Sequence, residues 1–220
     1  MNRRNLLTNF AKDKDKVKIQ SATSYGAMRF TNAVLRTQEN KEVKFYDDLI
    51  KGKQVVINLM YATCEGACPV NTTNLIRVHK ALKHRMGKDL FFYSITLKPE
   101  EDDPAKMKMF AEMHGAANLP GWLFLTGDPY DIETIRFRLF RWDHIMFDLD
   151  VDTHTGMLRI LNEANRQWTM CSPRASLFTI MQHISWVEPQ KSFAERLEEN
   201  KRVQERIDKE VKTYGYRKTT

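Results

Sequence analysis

Apolar runs of strand length alternate along this chain with stretches whose apolar residues recur at helical spacing. Gln54-Val-Val-Ile-Asn-Leu-Met-Tyr61 is mostly apolar and predicts a strand buried on both faces. From Pro69 to Met86 the period changes. Leu75, Val78, Leu82 and Met86 recur at three- and four-residue steps, which predicts a helix with Pro in its first turn. Leu90-Phe-Phe-Tyr-Ser-Ile-Thr-Leu97 is rich in aromatic and β-branched residues and reads as a second buried strand. Asp103-Pro104 then opens a helix to about His114, closed near Gly115. Trp122 to Thr126 is a third strand and Tyr130 to Phe140 a third helix. Two hairpins bracket this core: Asn32–Thr37 with Glu42–Tyr46, around Gln38-Glu39-Asn40-Lys41, and Met157–Leu161 with Gln167–Met170. Ser172-Pro173 starts a last helix to about Trp186.

Strands alternating with helices, then a hairpin and a helix, predict an α/β protein. The order is that of a thioredoxin-like fold: a mixed central sheet with flanking helices, an extra N-terminal hairpin and a charged C-terminal helix. The composition divides the chain into a flexible polar arm (1–26), a thioredoxin-like domain (27–187) and a charged C-terminal helix or tail (188–220). In that tail Phe193, Leu197, Ile207, Val211 and Tyr214 form a broken apolar stripe. The stripe suits either a solvated helix packed lightly on the domain or a helix that binds a partner.

The chain's 42% hydrophobic and 10% aromatic content is that of a globular protein long enough to bury a core. Its formal charge of +7 is spread along the chain rather than gathered into an aromatic-laced patch, which argues against a nucleic-acid surface. Arg3-Arg4 hints at an export leader, but Lys12-Asp13-Lys14-Asp15-Lys16 follows instead of an apolar stretch. Neither a leader nor a membrane span is visible in this sequence.

Three cysteines are too few to staple a scaffold. Two of them, Cys64 and Cys68, flank Glu65-Gly66-Ala67 where the first buried strand hands over to its helix. Pro69 disfavours helical geometry at Cys68, which places that thiol near the N-cap, where the helix dipole favours a thiolate. Two thiolates brought together can share a soft metal or close a disulfide, and both chemistries need the same pair. Three intervening residues differ from the two of a thioredoxin dithiol, and no second close pair completes a structural zinc site. A soft metal held by two thiolates calls for a further imidazole or thioether. Of the six histidines, His79, His84, His114 and His183 fall on helices or at a helix end. His154 precedes a strand whose entry loop faces the cysteine loop in a thioredoxin-like sheet, so it is the candidate, with His144 in reserve. Met157 is a possible weak fourth ligand. Cys171 reads as a packed thiol, with a resolving-cysteine role as the alternative.

The run from Gly52-Lys53-Gln54 through Cys64-Glu-Gly-Ala-Cys68-Pro69 resembles the Sco/SenC family, whose hallmark is two cysteines three residues apart followed by proline. The likeness continues in Phe92-Tyr-Ser-Ile-Thr-Leu-Lys-Pro-Glu-Glu-Asp-Asp-Pro104, in Trp122-Leu-Phe-Leu-Thr-Gly127 and in His154-Thr-Gly-Met-Leu-Arg-Ile-Leu161. It covers roughly residues 30–187. Glu65-Gly66 stands where Pro-Asp is common, and Lys98 where an aspartate is common. The resemblance implies copper, Cu(I) or Cu(II), held by Cys64, Cys68 and His154. It further implies delivery of copper to subunit II of cytochrome c oxidase or another copper or thiol protein, or reduction of that subunit's cysteines beforehand. It points to the periplasm or cell envelope. The alternative is a thiol–disulfide oxidoreductase that works through Cys64 and Cys68 without metal.

Overall fold

Seven strands form one mixed sheet in the order β2-β1-β5-β4-β3-β6-β7. The computed structural model describes residues 30–140, 156–189 and 193–214. The strands are β1 (Val34–Thr37), β2 (Glu42–Lys44), β3 (Gln54–Met60), β4 (Leu90–Thr96), β5 (Trp122–Gly127), β6 (Leu158–Asn162) and β7 (Gln167–Cys171). The helices are α1 (Ala67–Ala81), α2 (Pro104–Met113), α3 (Pro129–Leu139), α4 (Leu177–Trp186) and α5 (Phe193–Tyr214). A π-helical turn, Phe45–Ile50, follows β2, and Lys51 N–H donates across it to Tyr46 O.

β3, β4 and β5 run parallel, joined by α1 and α2 as crossovers. β1 and β6 flank them antiparallel. Every residue of β3 is buried, because helices cover both faces of the parallel centre. One face carries α1, α2 and α4 around Val56, Leu75, Phe92, Phe110, Trp122 and Ile180. The other carries α3 and the π-turn around Leu49, Ile57, Tyr93, Leu125 and Ile135. This is the mixed α/β, thioredoxin-like architecture that the sequence predicts, with its N-terminal hairpin β1–β2 and its charged C-terminal helix α5. Half-buried Val203 and Ile207 of α5 pack on the α1–α2–α4 core.

Two helix limits differ from the sequence reading. α1 stops at Ala81 rather than Met86. Beyond it the chain turns so that Arg85 meets Asp89, Gln54 and Glu188. α4 begins at Leu177 rather than at Ser172-Pro173. The Ser172-Pro173 pair makes a turn closed by Ala175 N–H to Ser172 O at 3.1 Å. Ser176 is the working N-cap and accepts from Thr179 N–H at 3.0 Å.

Candidate metal centre

The cysteine loop leaves the sheet at the C-terminal end of β3, on the side of the parallel strands where open α/β sheets place their sites. Leu97 N–H donates to Met60 O at 2.7 Å, so the exits of β3 and β4 stay paired. Cys64 N–H donates to Tyr61 O at 3.2 Å and curls the loop back. Ala62 N–H donates to Asp102 Oδ2 at 2.9 Å, and the Lys98 ammonium lies 4.5 Å from the centre of the Tyr61 ring. The segment after β4 thus braces the cysteine loop from beneath.

α1 begins at Ala67, so Cys68 and Pro69 sit inside its first turn rather than before it. Pro costs no hydrogen bond there, since first-turn amides lack intrahelical acceptors. One of those amides, Cys68 N–H, donates to Cys64 Sγ at 3.4 Å. The helix terminus therefore serves the Cys64 sulfur.

Both thiols are buried and unoxidised, at 7% and 1% exposure for Cys64 and Cys68. Burial pushes the Cys68 thiol up to about 12, helped by the neighbouring Cys64 and by the Asp102 charge, with the Tyr61 backbone opposing in part. The sequence expectation of a thiolate favoured at Cys68 by the helix dipole is corrected on this point. Desolvation outweighs the dipole at a position this deep. A metal ion supplies the missing counter-charge: a dithiol becomes a dithiolate when a soft cation arrives, and its protons leave.

Sequence reasoning passed over Asp102. It is fully buried, and its Oδ2 accepts from Thr96 Oγ1 at 2.5 Å as well as from Ala62 N–H. The signal lay in Asp102-Asp103-Pro104. One aspartate suffices to cap α2, and Asp103 does so by accepting from Lys106 N–H at 2.8 Å, which leaves its neighbour for another task.

Among the described residues, no group of three or more His, Cys, Asp or Glu side chains is placed to hold a metal ion. His79 is spent elsewhere, with Nε2 2.8 Å from Pro120 O and its ring between Phe92 and Trp122. His183 meets Thr169 Oγ1 at 2.9 Å, and His114 lies against Phe110. The candidate His154 and its reserve His144 both lie outside the described residues. The register of β6 on β3, ending at Ile57 opposite Arg159, brings the start of β6 to the end of the sheet where β3 stops. Met157 packs against the α3 face, the side opposite the cysteines, so the structure does not bring it to them as a fourth ligand. Cys171 faces Leu158 across β6–β7 and is buried in the same core cluster as Cys64 and Cys68.

With this geometry in place, the chain can be set beside known proteins. Residues 31–188 match the SCO1/SenC family. This chain belongs to that family. A SCO1 protein homologue of Bacillus subtilis (strain 168) is 29% identical over 128 residues, which span 56% of this chain and 61% of the relative. The match therefore leaves more than a third of that relative's length uncovered. A SCO1/SenC family lipoprotein from Bacillus anthracis superposes with a TM-score of 0.59 at 20% identity, covering 72% of this chain and 94% of its own. Yeast Sco1, solved with copper bound, gives 0.53 at 20% identity, covering 71% of this chain and 92% of its own. At these identities the structural likeness shows the fold. No helix among the described residues of this SCO1/SenC chain is long and apolar enough to cross a membrane.

Proposed function

We propose that this chain is a copper metallochaperone that carries copper to the dinuclear site of cytochrome c oxidase subunit II. The observation behind this reading is the buried, unoxidised pair Cys64 and Cys68, brought together on one loop by the Cys68 N–H to Cys64 Sγ contact. Two soft donors in a shielded site suit Cu(I), and an added imidazole suits Cu(II). His154 is the proposed imidazole. It stands four residues ahead of Leu158 in the sequence, and Leu158 begins β6 at the sheet end that carries the cysteines. Copper-bound relatives and the assembly role of the Sco family in cytochrome c oxidase support the same reading.

In this scheme Cys64 and Cys68 hold the cargo, and a partner's thiolates displace them one at a time, so the ion never enters water free. The same pair can instead prepare the partner. Cys64 and Cys68 would be oxidised to a disulfide while a partner disulfide gains two electrons and two protons to become two thiols. The high Cys68 thiol disfavours it as the attacking group in that exchange, which leaves Cys64 for the role.

Titration of the reduced, metal-free chain with Cu(I) and Cu(II) tests the proposal. One equivalent is expected to bind. Cys64→Ser and Cys68→Ser are each expected to lose at least about a hundredfold in Cu(I) affinity, following the removal of one of two thiolates. His154→Ala is expected to weaken Cu(II) binding with His144→Ala unchanged. Full affinity in either serine variant would overturn the proposal. So would metal-free protein that reduces disulfides catalytically while wild type takes up no copper.

A further inference from the structure

Two buried side-chain oxygens among the described residues lack a hydrogen-bond partner, Asn71 Oδ1 and Asp102 Oδ1, and both residues border the cysteine loop. Asn71 stands on α1 one turn beyond Cys68. Asp102 grips the loop itself through Ala62, two residues before Cys64. Its Oδ2 has two donors, from Ala62 and Thr96, whereas Oδ1 has none, and no ion pair to Asp102 is present among the described residues. A carboxylate at 0% exposure with half its acceptor capacity unused is expensive to bury. Such a group is understandable beside a site that gains positive charge in use.

The second charge on this segment has the opposite sign. Lys98 places its ammonium over the Tyr61 ring of the cysteine loop, four residues before Asp102. It is half-buried, so water screens it more than it screens Asp102.

We propose that Asp102 is a positioning residue which both fixes the cysteine loop through Ala62 and, by its uncompensated charge, biases the site toward Cu(II) over Cu(I), with Lys98 as a weaker opposing bias. The inference rests on the metallochaperone reading above. The charge count is direct. Two thiolates around Cu(I) leave a net −1, and around Cu(II) they leave zero, whatever neutral ligand completes the site. A fixed negative neighbour destabilises the first relative to the second, and a fixed positive neighbour does the reverse. Asp102 thereby shifts the reduction potential of the loaded protein.

The test compares Cu(I) and Cu(II) affinities and the reduction potential of copper-loaded wild type, Asp102→Asn and Lys98→Met, with thermal unfolding of each metal-free form. Asp102→Asn keeps an oxygen for Ala62 N–H but drops the charge. Its Cu(II)-to-Cu(I) affinity ratio is expected to fall by about tenfold or more, raising the potential by about 59 mV per tenfold. Lys98→Met is expected to move the ratio the other way by about two- to threefold, in keeping with its partial exposure. If Asp102→Asn does not fold, Lys98→Met decides alone, and a ratio unchanged or lowered there overturns the inference. A ratio within about twofold of wild type in folded Asp102→Asn, or both variants moving in one direction, also overturns it. Wild type that binds copper normally under those results leaves the metallochaperone reading intact. Wild type that binds no copper sinks that reading and this inference with it.

Discussion

The two ends of the central sheet bury charge in opposite ways. Where β3 and β4 begin, Arg85 reaches Asp89 at 2.7 and 2.9 Å, Gln54 Oε1 at 3.0 Å and the Glu188 carboxylate. Gln54 in turn donates from Nε2 to Ile184 O at 2.7 Å. Each of these side chains is answered by another, and the cluster ties α1's exit to the end of α4. Where the same strands finish, Asp102 and Asn71 each have an oxygen with no donor among the described residues, and two buried thiols stand unpaired by a disulfide. One end is a closed network whose work is structural. The other is left electrically incomplete, which suits the proposed binding of a cation there.

Breaking the closed end should cost stability and spare the metal. Arg85→Met takes from Glu188, which is 7% exposed, the guanidinium it bonds in the fold. The loss is expected to be about 3 kcal/mol, which corresponds to roughly 6–12 °C in Tm for a domain of this size. Arg85→Met with Glu188→Gln should recover most of it, because an apolar–neutral pair leaves no naked charge. Calorimetry reads the first effect, and copper titration of the same proteins should show affinities within about twofold of wild type. A parallel loss of copper affinity would mean that the two ends are coupled and the contrast false.

A smaller effect separates the third cysteine from the pair. Burial alone pushes the Cys171 thiol up to about 11, whereas Cys68 also feels Cys64 and Asp102. A thiol raised in the folded state contributes stability that is fully present below its unfolded value and is lost as pH rises through the folded one. Wild type should therefore lose stability between about pH 9 and 11. Cys171→Ala should lose less over that window, by on the order of 2 kcal/mol. Urea midpoints across the window measure it. Copper stoichiometry should be unaltered in the variant. A changed stoichiometry would make Cys171 part of the site.

The elements at the sheet centre were legible because their residues need little context. β3 is mostly apolar, and Asp103-Pro104 announces its helix start by chemistry that survives in isolation, with Asp103 accepting from Lys106 N–H. The misread limits depend on tertiary partners. Past α1 the chain turns, with Gly87 at positive φ, and Arg85 there pairs both with nearby Asp89 and with Glu188, 103 residues away, a partner that nothing local encodes. α4 starts late because Ser172 and Ser176 are both plausible caps, and the chain resolves the choice by tying Asn74 to the carbonyls of Pro173 and Ala175. At the site, the spacing of Cys64 and Cys68 advertised the thiols. Their depth did not show in the spacing, and that depth turned an expected thiolate into a high thiol. Asp102 was hidden because a buried carboxylate looks, in sequence, like one more polar loop residue.

The smallest expected effect lies along α1 itself, between its two ends. His79, 3% exposed, has its pKa lowered by burial, partly offset by its bond to Pro120 O. As the neutral ring, its Nε2–H donates to that carbonyl. A group depressed in the fold contributes stability that is present above its unfolded value and is lost as pH falls through the folded one. Wild type should thus weaken as pH falls through the imidazole range, because protonation of His79 opposes its burial. His79→Gln retains a donor for Pro120 O but cannot gain a proton there, so its urea midpoint should fall less steeply over the same range. His183, also lowered by burial, contributes to the slope in the same direction. Since His79 is bound within the Phe92–Trp122 aromatic cluster and three turns of helix away from Cys68, copper affinity at pH 7 should not follow the substitution. If copper affinity dropped with His79→Gln, the imidazole would belong to the cysteine end after all, and the division of α1 into a structural half and a working half would have to be redrawn.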